Sequence, residues 1–346
     1  MKKRYWFGIA VSALLVYLMA RSVELASVAR AFAEADYAFV LPAVALYFAG
    51  VVVRTTRWWV LLGPVRRPSL RRLFVVQVMG FMANDILPLR AGEAVRAYVL
   101  WRKERLDPST TVATIVVERI LDGLVLTGFL IVAGLLMPLE SWLTQLAWVA
   151  SAAFVAAVAV VVALGVVPGP VVALVSLLVS PLPRRVGELG VGMARRFVEG
   201  LGVVKRGSDA AAVVGLSVVA WLLEAGMYYV LMFSFPFQPQ LLASVLGAAA
   251  ANLGTMVPSS PGYVGTFDVP LSAVLVGTFH VDLSTAAGYT LLVHATLILP
   301  VTLLGLLFAW REGLSLRRIA TERVTASGDE GDPPDGPEVA PRRSTP

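Results

Sequence analysis

The sequence predicts an all-α polytopic integral membrane protein, with about six full transmembrane helices plus two broken or re-entrant helical hairpins. Three observations carry that prediction. The 346 residues are 58% hydrophobic and only 15% charged, with a mean hydropathy of +0.77. A soluble domain of this size cannot bury so much apolar sequence. The apolar runs are long enough to cross a bilayer, and Arg and Lys cluster beside them, which is the positive-inside pattern. Two apolar stretches are interrupted by Pro and Gly among polar residues, and such a combination breaks a helix.

The elements follow in order. Lys2, Lys3 and Arg4 precede an apolar run over residues 5–20. Ala31-Phe32-Ala33 resembles a cleavage site but lies too far past that run, so a retained first helix with its N-terminus inside is expected. Residues 37–62 form the second span. Arg54 and Arg57 near its end, followed by Trp58 and Trp59, read as snorkelling cations and interfacial anchors. Arg66, Arg67, Arg71 and Arg72 mark the inner side.

The chain is organised around residues 79–101. Asn84, Asp85, Pro88, Arg90, Gly92, Glu93 and Arg96 crowd there between apolar limbs. Within a membrane such a break is tolerated where protein or a water-filled cavity covers it, and ionisable residues at that depth mark function. An ordinary surface loop between two short helices is the bland alternative.

Residues 111–137 form the third span, carrying Glu118, Arg119 and Asp122. Glu118 and Asp122 share a face, and Arg119 is placed to pair with Asp122. A short outer turn leads to the next span at 142–167. Residues 171–182 are apolar between prolines, and 184–206 are basic and mixed, an amphipathic inner segment. The span at 209–235 has Glu224 near its middle. Residues 241–257 are rich in small side chains, which favours close helix packing. They end in a second breaker, Pro258-Ser259-Ser260-Pro261-Gly262-Tyr263-Val264-Gly265. The last span, 285–310, has His294 near its centre. Residues 1–319 are thus expected to be the transmembrane domain. Residues 320–346 are expected to be a disordered cytoplasmic tail, because they have little to bury.

The two breakers look related. Pro88-x-x-x-Gly92 matches Pro258-x-x-x-Gly262, and Leu106-Asp107-x-Ser109-Thr110 resembles Val281-Asp282-x-Ser284-Thr285. In that register Arg119 falls opposite His294, and spans 37–62 and 209–235 correspond. The first breaker has basic, inner flanks and the second uncharged, outer flanks. The copies then have opposite orientation, the inverted repeat of transporters whose site lies at the repeat interface.

On these residues the chain resembles the lysylphosphatidylglycerol synthase transmembrane-domain family, the flippase-like domain of the multiple peptide resistance factor. The pattern comprises Gly80, Asn84, Pro88, Arg90, Gly92, Glu93 and Arg96. It continues with Val117, Glu118, Arg119 and Asp122, then Pro258 to Gly262, Gly265 and Asp268. The resemblance implies an integral membrane protein that moves lipids between leaflets. In multidomain members a soluble synthase follows; here a short polar tail follows, so aminoacyl transfer is not implied and no enzyme is expected.

Moving a charged headgroup requires a polar cavity that compensates phosphate, and arginine binds phosphate bidentately. Arg90, Arg96 and Arg119 are the candidates. Asn84, Glu93, Glu118, Asp122, Ser259 and Ser260 complete the expected substrate site, with Pro88, Gly92, Pro258, Pro261 and Gly262 as the helix breaks. The competing reading makes the charges structural ion pairs. Glu224 and His294, mid-span without a sequence-local partner, suit a proton relay; a histidine bonded within its bundle suits them equally. Ser259 or Ser260 with His294 and Asp268 are also the residue types of a serine hydrolase, although no G-x-S-x-G elbow surrounds the serines. A small-solute transporter shares every feature except substrate size.

The net charge of +6 follows the span flanks, so nucleic acid is not expected as a partner. Membrane lipids are, with a separate lipid-modifying enzyme as a further candidate. With no Cys and two His, neither metal nor cofactor is expected. The sequence has no P-loop for ATP drive. The location expected is the cell membrane, multi-pass, both termini cytoplasmic.

Overall fold

A computed structural model describes residues 13–14, 17, 25–87, 91–166, 169–179, 184–201, 207–257 and 260–313. All of the first expected helix but residues 13–14 and 17, together with Pro88, Arg90, Pro258, Ser259 and the tail 320–346, lies outside the described residues. The chain divides into two units, Met1–Phe308 and Ala309–Pro346. The second contributes the end of the closing helix.

Every regular element among the described residues is helical, with no strand among them. In order they form α1 (Leu25–Ala33), α2 (Val40–Leu62, entered through a 3-10 turn at Tyr37–Phe39), α3 (Leu70–Ile86) and α4 (Gly92–Glu104). Then come α5 (Pro108–Leu136), α6 (Ser141–Val166), α7 (Gly169–Val179), α8 (Arg184–Gly200) and α9 (Gly207–Met232). The last are α10 (Leu241–Gly254), α11 (Asp268–Ala273, continuing as a π turn over Val274–Thr278) and α12 (Leu283–Arg311).

Local chemistry accounts for the boundaries. Leu87, before Pro88, is extended at φ −100°, ψ 143°, as sterics before proline demand. Ser260, before Pro261, is likewise extended at φ −63°, ψ 164°. Asp107 caps α5 by accepting from the Ser109 amide at 2.8 Å, with Pro108 in the first turn, where its missing N–H costs nothing. Asp282 caps α12 by accepting from Ser284 at 3.0 Å and Thr285 at 3.1 Å.

Four helices among the described residues are long and apolar enough to cross a membrane: Tyr37–Leu62, Ser141–Leu164, Gly207–Met232 and Leu283–Arg311. The expected six are therefore not all reproduced. The 29-residue α5 has the length and carries Glu118, Arg119 and Asp122, and it is not among the four. Most of the first expected helix lies outside the described residues.

The most extensive pairing is α2 with α9. It is antiparallel: Gly226 faces Leu46, Gly50 faces Leu223, and Arg57 meets Ser217. Around this pair, α3 and α4 close as one hairpin, and α10 with α11 as another. The two limbs of the first hairpin touch at backbone level, because a Cβ on Gly92 would collide with the Gly80 carbonyl. Long helices flank the hairpins: α10 packs on α5 through Leu246, Ala249 and Leu130, and α3 meets α12 where Met82 lies against Gly305. The two helix breaks also meet, since α3 packs on the turn Pro261–Tyr263.

Candidate functional site

A cavity of about 150 Å³ lies between the two breaks. Its walls are Tyr47 and Arg54 of α2, Asn84 and Asp85 of α3, Arg119 of α5, Trp221 and Glu224 of α9, Asn252 of α10, Tyr263 and Phe267 after the second break, and His294 of α12. Asn84 is held in place because its Oδ1 accepts from the Gly92 amide at 2.7 Å, so it reaches across the first break.

Beside this cavity runs a buried charge network. Arg54 donates to Glu224 at 2.7 Å and lies over the Trp221 ring, 4.6 Å from its centroid. Asn252 donates to the other Glu224 oxygen at 3.0 Å. Arg57 donates to Asp122 at 2.6 Å and to Ser217 at 3.0 Å, and reaches Glu118 at 3.4 Å. Arg96 donates to Glu118 at 2.5 Å and stacks on Trp58, 3.8 Å from the ring centroid. The Trp221 indole N–H also donates to Asp122, at 3.0 Å. Arg119 approaches Asp122 at 3.7 Å, the pair read from the sequence. Four arginines thus meet three carboxylates. In a low-dielectric interior such pairs hold only with good geometry and further hydrogen bonds, which Ser217, Trp221 and Asn252 supply.

The reading of Arg54 and Arg57 as snorkelling cations is overturned, because both are buried. Their carboxylate partners stand on α5 and α9, and pairing there avoids the cost of an isolated charge. Of the other expected site residues, Asn84, Arg119, Glu224 and His294 line the cavity. Arg96, Glu118 and Asp122 stand behind it in the network. Glu93 is part-buried, with an Oε2 that lacks a hydrogen-bond partner among the described residues. Ser260 donates to the Pro261 carbonyl at 3.3 Å.

The Ser–His–Asp constellation is half assembled. His294 Nδ1 meets Asp268 Oδ1 at 2.6 Å, but Nε2 faces the Gly262 carbonyl at 2.7 Å rather than a serine. Glu224 and His294 share the cavity but are held by different partners. Sequence reasoning missed Arg54, Arg57, Trp221 and Asn252, and gave Asp85 no role. One signal was present for the first: the 170-residue spacing between Arg54 and Glu224 also separates Gly92 from Gly262.

The apolar helices and the charged cavity between the two helix breaks define a multi-pass helical membrane domain. A family model described as the lysylphosphatidylglycerol synthase TM region matches residues 5–305, and the chain belongs to that family. The chain is also similar to the glycosyltransferase AglD of Haloferax volcanii, at 26% identity over 327 residues, covering 83% of this chain and 51% of the relative. It therefore spans about half the length of the curated relative it matches. No solved structure matches it. The expectation that the chain is no enzyme does not stand against this relative, whose name is that of an enzyme.

Proposed function

We propose that this chain translocates a phosphate-bearing lipid between the leaflets, the headgroup passing through the cavity and the acyl chains staying outside it. One observation carries the reading. Arg54, Arg57 and Arg96 are closed off by carboxylates, with side chains at most 7% exposed, whereas Arg119 is 35% exposed and lines the cavity. A planar guanidinium there suits a phosphate. Glu118 and Asp122 orient the arginines from behind, and Asn84 contacts the headgroup from the first break.

Internal symmetry supports an alternating mechanism. The 170-residue spacing recurs, each half ends in a 29-residue helix opened by an Asp cap, and α2 and α9 run antiparallel. A two-fold axis in the membrane plane turns equivalent helices upside down, as inverted-repeat transporters do. In this reading residues 1–319 translocate, 320–346 form a dispensable tail, both termini face the cytoplasm, and Arg90 and Ser259 take part in substrate binding.

The test is reconstitution into vesicles, with flip rates of fluorescent phospholipids and of a phosphate-free lipid. Arg119→Ala is expected to slow phospholipid flipping by about 10–100-fold, the worth of a charged hydrogen bond, with thermal stability kept. Vesicles that flip no faster than empty ones would overturn the reading.

The named relative favours a second reading, in which the lipid carries a sugar and the chain takes part in glycosyl transfer, alone or beside a separate lipid-modifying enzyme. Incubating the purified protein with sugar nucleotides and polyprenyl phosphate, then analysing the lipids for new glycosides, tests it.

A further inference from the structure

Two groups in the cavity are left over by the charge network. Asp85 Oδ2 accepts from the Thr302 hydroxyl at 2.9 Å, and among the described residues no cation pairs with it. His294 bridges two acceptors: Nδ1 to the Asp268 carboxylate at 2.6 Å and Nε2 to the Gly262 carbonyl at 2.7 Å. A carbonyl and a carboxylate donate nothing. Both contacts are hydrogen bonds together only when the Asp268–His294 pair holds one proton more than a neutral imidazole beside a carboxylate. When that proton leaves, one of the two bonds is lost.

The bond at stake holds the second helix break. Gly262 (φ 71°) and Tyr263 (φ 58°) both sit in the left-handed region, a strained arrangement for Tyr263 that persists where contacts over-determine it. Asp268 Oδ2 accepts from the Gly265 amide at 2.8 Å, so the same carboxylate ties His294 of α12 to the loop. The groups that face His294 are Asp268 of α11, Tyr263 of the break and Asp85 of α3. Across the cavity stand Arg119 and the Arg54–Glu224 pair with Tyr47.

We propose that the cavity binds a proton together with its anionic headgroup, with Asp85 and His294 as the proton-binding residues, so that lipid and proton cross in the same direction. The proposal rests on the translocation reading and deepens it. A phosphate held by Arg119 shares the cavity with the Asp85 carboxylate, and neutralising that carboxylate removes a like-charge repulsion. Proton and anion then favour each other, and by linkage the preference is reciprocal. The proton on His294 also locks the break, which links occupancy to shape. Glu224 has no part in it, being paired with Arg54.

Two measurements test this. In the first, vesicles carry a pH step across the bilayer. Acidifying the side that donates an anionic lipid by one unit is expected to raise wild-type flipping by up to tenfold for each proton that crosses with the lipid. Asp85→Asn and His294→Gln are expected to flip at rates that no longer follow the step. Flipping that ignores the pH step in the wild type overturns proton coupling and leaves translocation standing; no flipping in any preparation overturns translocation. The second measurement does not depend on transport. The chain has no cysteine, so Val264→Cys, 41% exposed beside the break, reports alone. Its modification rate, normalised to an exposed Leu41→Cys control, is expected to rise as pH rises through the release of the His294 proton. The rise is expected to vanish with His294→Gln. A flat profile in the parent, or the same profile in His294→Gln, would remove His294 as the switch.

Discussion

Arg54 and Glu224 lie 170 positions apart in the chain and meet at 2.7 Å, each with a side chain 7% exposed. They sit on α2 and α9, the two helices with the most extensive packing among the described residues, and the inverted-repeat reading proposed above makes these positions equivalent. If a two-fold axis relates the halves, equivalent residues become neighbours where it crosses a packed pair, so the proposed repeat places its axis at this ion pair.

Breaking the pair from one side is expected to be more harmful than removing it. Arg54→Met or Glu224→Met alone leaves a buried charge without its partner and should cost about 3–5 kcal/mol, whereas the double substitution should recover most of that. Thermal unfolding of the four proteins in one detergent checks it. Additive losses would mean that the pair does not act as a unit.

The antiparallel packing of α2 and α9 has a direct chemical test. A Cβ built on Gly50 lies 3.8 Å from the Cβ of Leu223, inside the range that a disulfide spans. Gly50→Cys with Leu223→Cys should cross-link under mild oxidation, and a protease cut between the helices should then leave the fragments joined. Gly50→Cys with the distant Val213→Cys should not cross-link.

Gly92→Ala should destabilise the first hairpin, since the new methyl group would overlap the Gly80 carbonyl and meet Asn84 Oδ1 at 2.6 Å. Backbone cannot retreat as a flexible side chain does, and overpacking of this kind costs about 1–3 kcal/mol or more. Ala94→Ser, on the exposed side of α4, is the control. Equal monodispersity and melting temperature for the two variants would refute the close approach.

The proposed inverted arrangement is tested by labelling. Ser69→Cys and Gln240→Cys, both exposed where their hairpins begin, should react with an impermeant maleimide from opposite faces of the membrane. Reaction from one face would make the repeats parallel.

Much of the fold was legible in the sequence because the forces that set it are local. Long apolar runs must be helical where lipid satisfies no backbone hydrogen bond, and the proline at 88 ends α3 through its neighbour Leu87. Asp107 and Asp282 cap helices two residues away. Arg119 and Asp122 are three residues apart on one helix, so their pairing follows from helical geometry.

Arg54 and Arg57 show what could not be read in this way. At the end of an apolar run an arginine either reaches for water or finds a carboxylate inside the bundle, and the run itself does not say which. The sequence by itself determined a helical membrane chain with two breaks and the Arg119–Asp122 pair. Only the tertiary structure decided that Arg54 answers Glu224 and Arg57 answers Asp122, that Arg119 keeps an exposed flank, and that Asp85 and His294 share its cavity. The reason is physical: a buried charge takes its meaning from neighbours within a few ångströms, and helix packing alone brings those neighbours from positions 65 and 170 residues away.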